Sequence, residues 1–183
     1  MQENRQPRNW KRSIGIVLMV IVAIGVAYVI GAFFVGPSRV KAEGGVISTA
    51  VLEMPSGILP ATDTNGNAVT LLVKIAETSA ARKAGLSNVG AKALDTTVLL
   101  YAHSRLQTSR VRYDMTGIRA PLELAVIDES GSVVAVKKVG MNTTSISVTE
   151  KHQWVLAAKE GLLGKLGIAK GSLVTPGDIR RIG

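Results

Sequence analysis

The sequence contains no cysteine. That excludes disulfides, thiolate catalysis and attachment to lipid through a thiol. Histidine is nearly absent too. His103 and His152 are the only two, far apart in sequence and without a His-x-x-x-His or Glu-x-x-His spacing. No metal site and no cofactor is expected from such a set. Aromatic residues make up 4% of the chain, too few for a stacking surface, which argues against single-stranded nucleic acid as a partner. There is no Gly-x-Ser-x-Gly elbow and no Ser-x-x-Lys pair to mark a nucleophile, and there are no internal repeats. The last absence is of charge: residues 13–36 carry no charged side chain.

That apolar run would form a helix of ~36 Å, against a hydrocarbon core of ~30 Å. Arg5, Arg8, Lys11 and Arg12 precede it, and only Arg39 and Lys41 follow closely. This bias predicts a cytoplasmic N-terminus (residues 1–12), one transmembrane signal anchor (residues 13–36) and an exported remainder. A cleavable signal would have an apolar region of about 7–15 residues; release after Ala42 is the alternative. The net charge of +9 divides accordingly. Residues 1–42 hold six Lys/Arg and one acid, and residues 43–183 hold 16 and 12. Much of the basicity therefore belongs to the anchor flanks, where it meets anionic headgroups.

Residues 37–68 read as a tether with the first strand, expected at Val46–Met54. Asp63-Thr64-Asn65-Gly66-Asn67 is a hairpin turn signal. Val69–Ala76 alternates as a half-buried strand. Ala80–Ala84 is a short helix, capped by Thr78 or Ser79 and stopped by Gly85. Strands are expected at Thr97–Tyr101, Ser109–Met115, Leu122–Asp128, Ser132–Val139, Ser145–Val148 and Gln153–Ala157. Glu160–Leu166 is a second short helix, and an irregular basic tail follows Pro176. The loop Glu129-Ser130-Gly131 fits a type I turn with a bulge, a register that sets Glu123 opposite Lys137. The whole predicts an α+β domain, compact and mostly antiparallel, sheet- or barrel-like, with two short helices.

Two sets of residues are candidates for function. Arg110, Arg112 and Arg119, in a basic stretch whose only acid is Asp114, suit a shallow site for an anionic polymer or an acidic protein. Glu123, with Asp114 or Asp128 nearby, would be the acid or base of an envelope hydrolase or carbohydrate-modifying enzyme. A cross-strand pair with Lys137 gives Glu123 a structural explanation instead.

Residues about 69–175 resemble the family known as domain of unknown function 192. The pieces come in order. Ala81-Arg82-Lys83-Ala84-Gly85-Leu86 is similar to its helix ending in Arg-x-x-Gly-Leu. Val98-Leu99-Leu100-Tyr101 is similar to its apolar strand. Tyr113-Asp114-Met115-Thr116-Gly117-Ile118-Arg119-Ala120-Pro121-Leu122 resembles its aromatic-x-Met-x-Gly-Met-x-x-Pro-Leu segment. Leu124–Asp128, Gly131 and Val133-Val134 resemble the hairpin that follows, and Trp154-Val155-Leu156, Gly161, Gly167-Ile168 and Gly171 the closing segment. The resemblance implies a compact, mostly β domain behind an N-terminal signal or anchor, and no particular reaction. Glu123 stands where the family usually has Asp, Ala157 where it often has Glu, and Ser172 where it often has Asp. Two of the three acids of that pattern are therefore missing here. The expectation is a membrane-anchored extracytoplasmic module for binding or assembly, with the enzyme built on Glu123 as the alternative.

Overall fold

The structure is a computed structural model that describes residues 47–182. The predicted membrane segment, residues 13–36, lies outside the described residues. Among the described residues, no helix is long and apolar enough to cross a membrane.

The elements run α1 (Thr49–Glu53), β1 (Ser56–Thr62), β2 (Ala68–Ala76), α2 (Ser79–Ala84), a 3-10 turn (Ala93–Asp95), β3 (Val98–Gln107) and β4 (Val111–Asp114). They continue with β5 (Leu122–Ile127), β6 (Val133–Val139), β7 (Ser145–Val148), β8 (His152–Lys159), α3 (Leu162–Lys165) and β9 (Leu173–Val174). A second 3-10 turn (Pro176–Asp178) and β10 (Arg180–Ile182) close the series. The main sheet has the order β10-β1-β2-β3-β8-β5-β6, with β9 pairing β1. Its pairs are antiparallel except β2 with β3. Residues 171–174 bond to Gly131 and Val133 beside β6 and also to β1, so the sheet curls into a half-barrel.

Local chemistry accounts for the joints. The Asp63 carboxylate accepts from the amides of Asn65 and Asn67 and from the Asn67 side chain, which fixes the β1–β2 turn. Thr78 caps α2 by accepting from the Ala81 amide at 3.1 Å. Gly131 has φ +87, and a Cβ there would overlap the carbonyl oxygen of Val174, so only glycine permits the closure.

The core lies on both faces of the central strands. Leu124, Val126, Val155 and Ala157 pack on one side with Leu86, Leu94, Tyr113 and Met115. Ala125, Ile127, Leu156 and Ala158 pack on the other with Leu59, Val73, Leu163 and Ile168. All six residues of β5 are buried, which is why this stretch reads as a continuous apolar run instead of an alternation.

Four expectations are corrected. Val46–Met54 was expected as a strand; its described part is the helix α1, with Val51 and Met54 buried three residues apart. Both edges of β1 are already taken, by β2 on one side and by β9 and β10 on the other, so a further strand would find no edge. The short helices number three among the described residues, not two. The tail after Pro176 is ordered, because β10 pairs β1 with Ser56 opposite Ile182. Finally, Glu123 faces Lys138 and not Lys137, because a bulge shifts the register between Val126 and Ile127.

Candidate functional site

The three carboxylates named from the sequence are dispersed over the fold, and each is engaged by the backbone. Glu123 is 7% exposed, and its Oε1 accepts from the Leu163 amide at 2.7 Å. That amide is one of the unpaired donors that a helix leaves at its start, so Glu123 ties α3 to β5. Lys137, the expected partner, pairs instead with Glu150 at 2.8 Å. Lys138, the register partner, pairs with Glu160 at 2.7 Å. Asp128 accepts from the amides of Ser130 and Ser132 and from the Ser130 hydroxyl, closing the β5–β6 turn. Asp114 accepts from the Thr116 amide at 2.8 Å.

Of the three arginines, Arg112 and Arg119 line separate hollows and Arg110 is exposed ahead of β4. Arg119 borders an open hollow of about 620 Å³ with Ser48, Thr49 and Asn88. Arg112 shares one of about 420 Å³ with Lys83, Asp114, Thr116, Thr144 and Ser145. The Asp114 carboxyl is held below the usual carboxylate range, first by hydrogen bonding from Thr116 and then by the positive charges of Lys83 and Arg112. Yet among the described residues neither cation has a carboxylate within salt-bridge distance; the pairs are Lys137–Glu150, Lys138–Glu160, Lys159–Asp95 and Arg181–Glu77. Two exposed cations and several hydroxyls around one hollow form a surface that can take an anion.

The hollow is built on the ribbon β4–β7, which lies off the main sheet. Period-2 alternation turns Arg112 and Asp114 outward and Tyr113 inward. The Tyr113 hydroxyl sits between the two histidines, 2.8 Å from Nε2 of His103 and 2.8 Å from Nε2 of His152. The imidazole centroids are 5.7 Å apart. His152 Nδ1 is 2.7 Å from the Glu150 carbonyl oxygen, and a carbonyl only accepts, so Nδ1 carries the proton. The Tyr113 hydroxyl, which can both donate and accept, links the two Nε2 atoms. Burial, with Arg82 and His152 nearby, lowers the His103 pKa to about 4. Burial likewise pushes the Tyr113 phenol well above its ordinary value.

Sequence spacing gave no sign of this cluster, because 49 positions separate the two histidines. A signal was present in the alternation. Had β3 been extended past Tyr101, His103 would fall on the same face as Tyr101, whose ring packs edge-on against Tyr113 at 5.1 Å. Gly85 also belongs here. A Cβ at this position would lie 2.5 Å from the Tyr101 hydroxyl, so α2 approaches the cluster only because it ends in glycine. The pieces Arg82–Leu86 and Tyr113–Met115 that carry the family resemblance therefore meet at the ribbon.

The sequence pattern of the family DUF192, described as an uncharacterized ACR, matches residues 60–176. No curated protein matches the chain. Among solved structures, the chain is similar to a candidate transcription regulator from Sinorhizobium meliloti 1021, at 18% identity and a TM-score of 0.58, over 67% of this chain and 94% of that one. It is also similar to a protein of unknown function from Novosphingobium aromaticivorans DSM 12444, at 20% identity and a TM-score of 0.54, over 72% of this chain and 99% of that one. At these identities the likeness is one of fold. The chain belongs to the DUF192 family.

Proposed function

We propose that this is a single-pass membrane protein whose β-rich domain stands outside the cytoplasmic membrane as a binding or assembly module. It takes an anionic envelope polymer or an acidic partner protein at the hollow of Lys83 and Arg112. The observation that carries the site is the pair of cations around a hollow lined by the hydroxyls of Thr116, Thr144 and Ser145 and the Asp114 carboxylate, with no carboxylate within salt-bridge distance of either cation among the described residues. The uncharged run of residues 13–36 and the basic residues before it support the location. Engagement of Glu123, Asp114 and Asp128 by backbone amides favours binding over carboxylate catalysis.

The test uses the full-length protein in detergent and inorganic polyphosphate as the probe. The double variant Lys83→Ser/Arg112→Ser should bind at least about tenfold more weakly, since a hydrogen bond to a charged group contributes roughly 1.5–3 kcal/mol. Arg110→Ser, outside the hollow, should bind as the parent does. Equal affinity of the double variant and the parent would remove the basis for the site.

A further inference from the structure

The outer side of the strands β10, β1 and β2 is unlike the rest of the surface. Ser56, Ile58, Pro60 and Thr62 of β1 alternate with the buried positions of that strand. Ala68, Thr70, Leu72 and Lys74 do so on β2. The register sets Arg180, Ile58 and Leu72 in one row and Ile182, Ser56 and Lys74 in the next. Leu72 is 64% exposed and Ile182 47%. None of these outward positions is acidic, and the two charged ones, Lys74 and Arg180, are both basic. An apolar patch carrying only positive charge is the composition of a surface that lies on anionic headgroups.

The described chain starts at Ile47 beside Asn88, Gly90 and Arg119, and the end of α1 reaches the edge of this face. Lys74 Nζ donates to the carbonyls of Leu52 and Met54 at 3.2 and 3.0 Å, so the end of α1 rests against the Lys74 row. Leu52 on α1 is itself 57% exposed. Only residues 37–46 separate the predicted anchor from Ile47, where the described chain begins, and ten residues reach at most about 36 Å when fully extended. Glu53 on α1 and Glu77 just after β2 line one hollow at this end of the face, and Glu77 is bound by Arg181 through two hydrogen bonds.

We infer that the β10–β1–β2 face docks on the anionic bilayer that holds the anchor. Leu72, Ile58, Ile182 and Leu52 enter the headgroup boundary, with Arg180 at the phosphates. The inference rests on the anchor reading above. Docking would fix the domain's orientation, so that its ligand is met by a surface of defined aspect at the membrane and not by a freely tumbling one.

The absence of cysteine makes the test direct, because each introduced cysteine is the only one to label. Full-length variants Leu72→Cys, Met141→Cys and Ile24→Cys would carry one fluorophore each. They would be reconstituted into vesicles of equal parts phosphatidylcholine and phosphatidylglycerol with a lipid-borne quencher. Met141 is 53% exposed and follows β6, at the opposite end of the strand order, so it controls for exposure alone. The expected result is several-fold stronger quenching at position 72 than at position 141, reduced by Arg180→Glu. Quenching at position 24 with none at position 72 would overturn docking alone. No quenching at position 24 would overturn the anchor, and the docking proposal with it.

Discussion

The β5–β6 hairpin and the β4–β7 ribbon are both short antiparallel pairs, but they are held in different ways. Every residue of β5 is buried between β6 and β8, and the carboxylates of Glu123 and Asp128 are engaged by backbone amides. The ribbon strands have four residues each and pair only with one another. The inward Tyr113 hydroxyl, set between two imidazoles, connects the ribbon to β3 and β8. In the densely packed pair the buried carboxylate of Glu123 is taken up by a backbone amide. The lightly packed one is positioned by a polar lock, and its outer face keeps Arg112 and Asp114 exposed. The charged residue inside the apolar run is thus engaged by the Leu163 amide, whereas the charges flanking the inward tyrosine lie exposed.

The sharpest way to break this comparison is to truncate one packed residue in each pair. Leu124→Ala, at a fully buried position, should cost about 2–5 kcal/mol in urea unfolding. Val111→Ala, half-buried on the ribbon, should cost roughly 1 kcal/mol or less, because less apolar surface is lost. Equal losses would mean that the ribbon is as firmly packed as the hairpin. Next in size is Tyr113→Phe, which leaves both imidazole Nε2 atoms without their partner and should cost about 1–3 kcal/mol. Amide hydrogen exchange should then speed up in β4 and β7 and stay unchanged in β5 and β6. Uniform acceleration would show that the hydroxyl supports the whole domain and not the ribbon in particular.

The smallest effect is one of pH. The His103 pKa is lowered to about 4 in the folded chain, from an ordinary value of about 6.5. Between these values the unfolded chain binds a proton that the folded chain does not. Stability from this group is therefore complete above about pH 6.5, declines as the pH falls toward 4, and levels off below. Partial exposure of the ring moderates its size. Urea midpoints of His103→Gln should lose this part of the slope. They should keep the acid loss at lower pH from Glu77, Asp114 and Glu150, whose carboxyls are all held low. A parental slope in the variant would place the titration elsewhere.

Much of the fold was legible because its causes are local. The Asn65-Gly66 turn, the alternation of β2, the Thr78 cap and the Gly85 stop each depend on neighbours within a few positions, and the structure has each of them. The β5–β6 register was not legible. Val133 donates its amide to the Ser172 carbonyl and accepts from the Gly171 amide, and the bulge lies beside that distant attachment. The one-residue shift moves Glu123 from Lys137 to Lys138, and the Leu163 amide then takes the carboxylate. Of the candidate residues, alternation along the expected strand Ser109–Met115 sets Arg110, Arg112 and Asp114 on one face, but it could not bring Lys83 beside Arg112 or remove Arg119 to another hollow.

Composition and short-range pattern by themselves settled an α+β domain of mostly antiparallel strands and its principal turns, because strand alternation, turn chemistry and capping are set within a few residues. Tertiary structure alone decided that His103, Tyr113 and His152 form one hydrogen-bonded chain and that Glu123 serves a helix start. It also decided that β10 and residues 171–174 complete the half-barrel. Those contacts join positions tens of residues apart, and a buried polar group takes whichever partner the folded chain brings within reach.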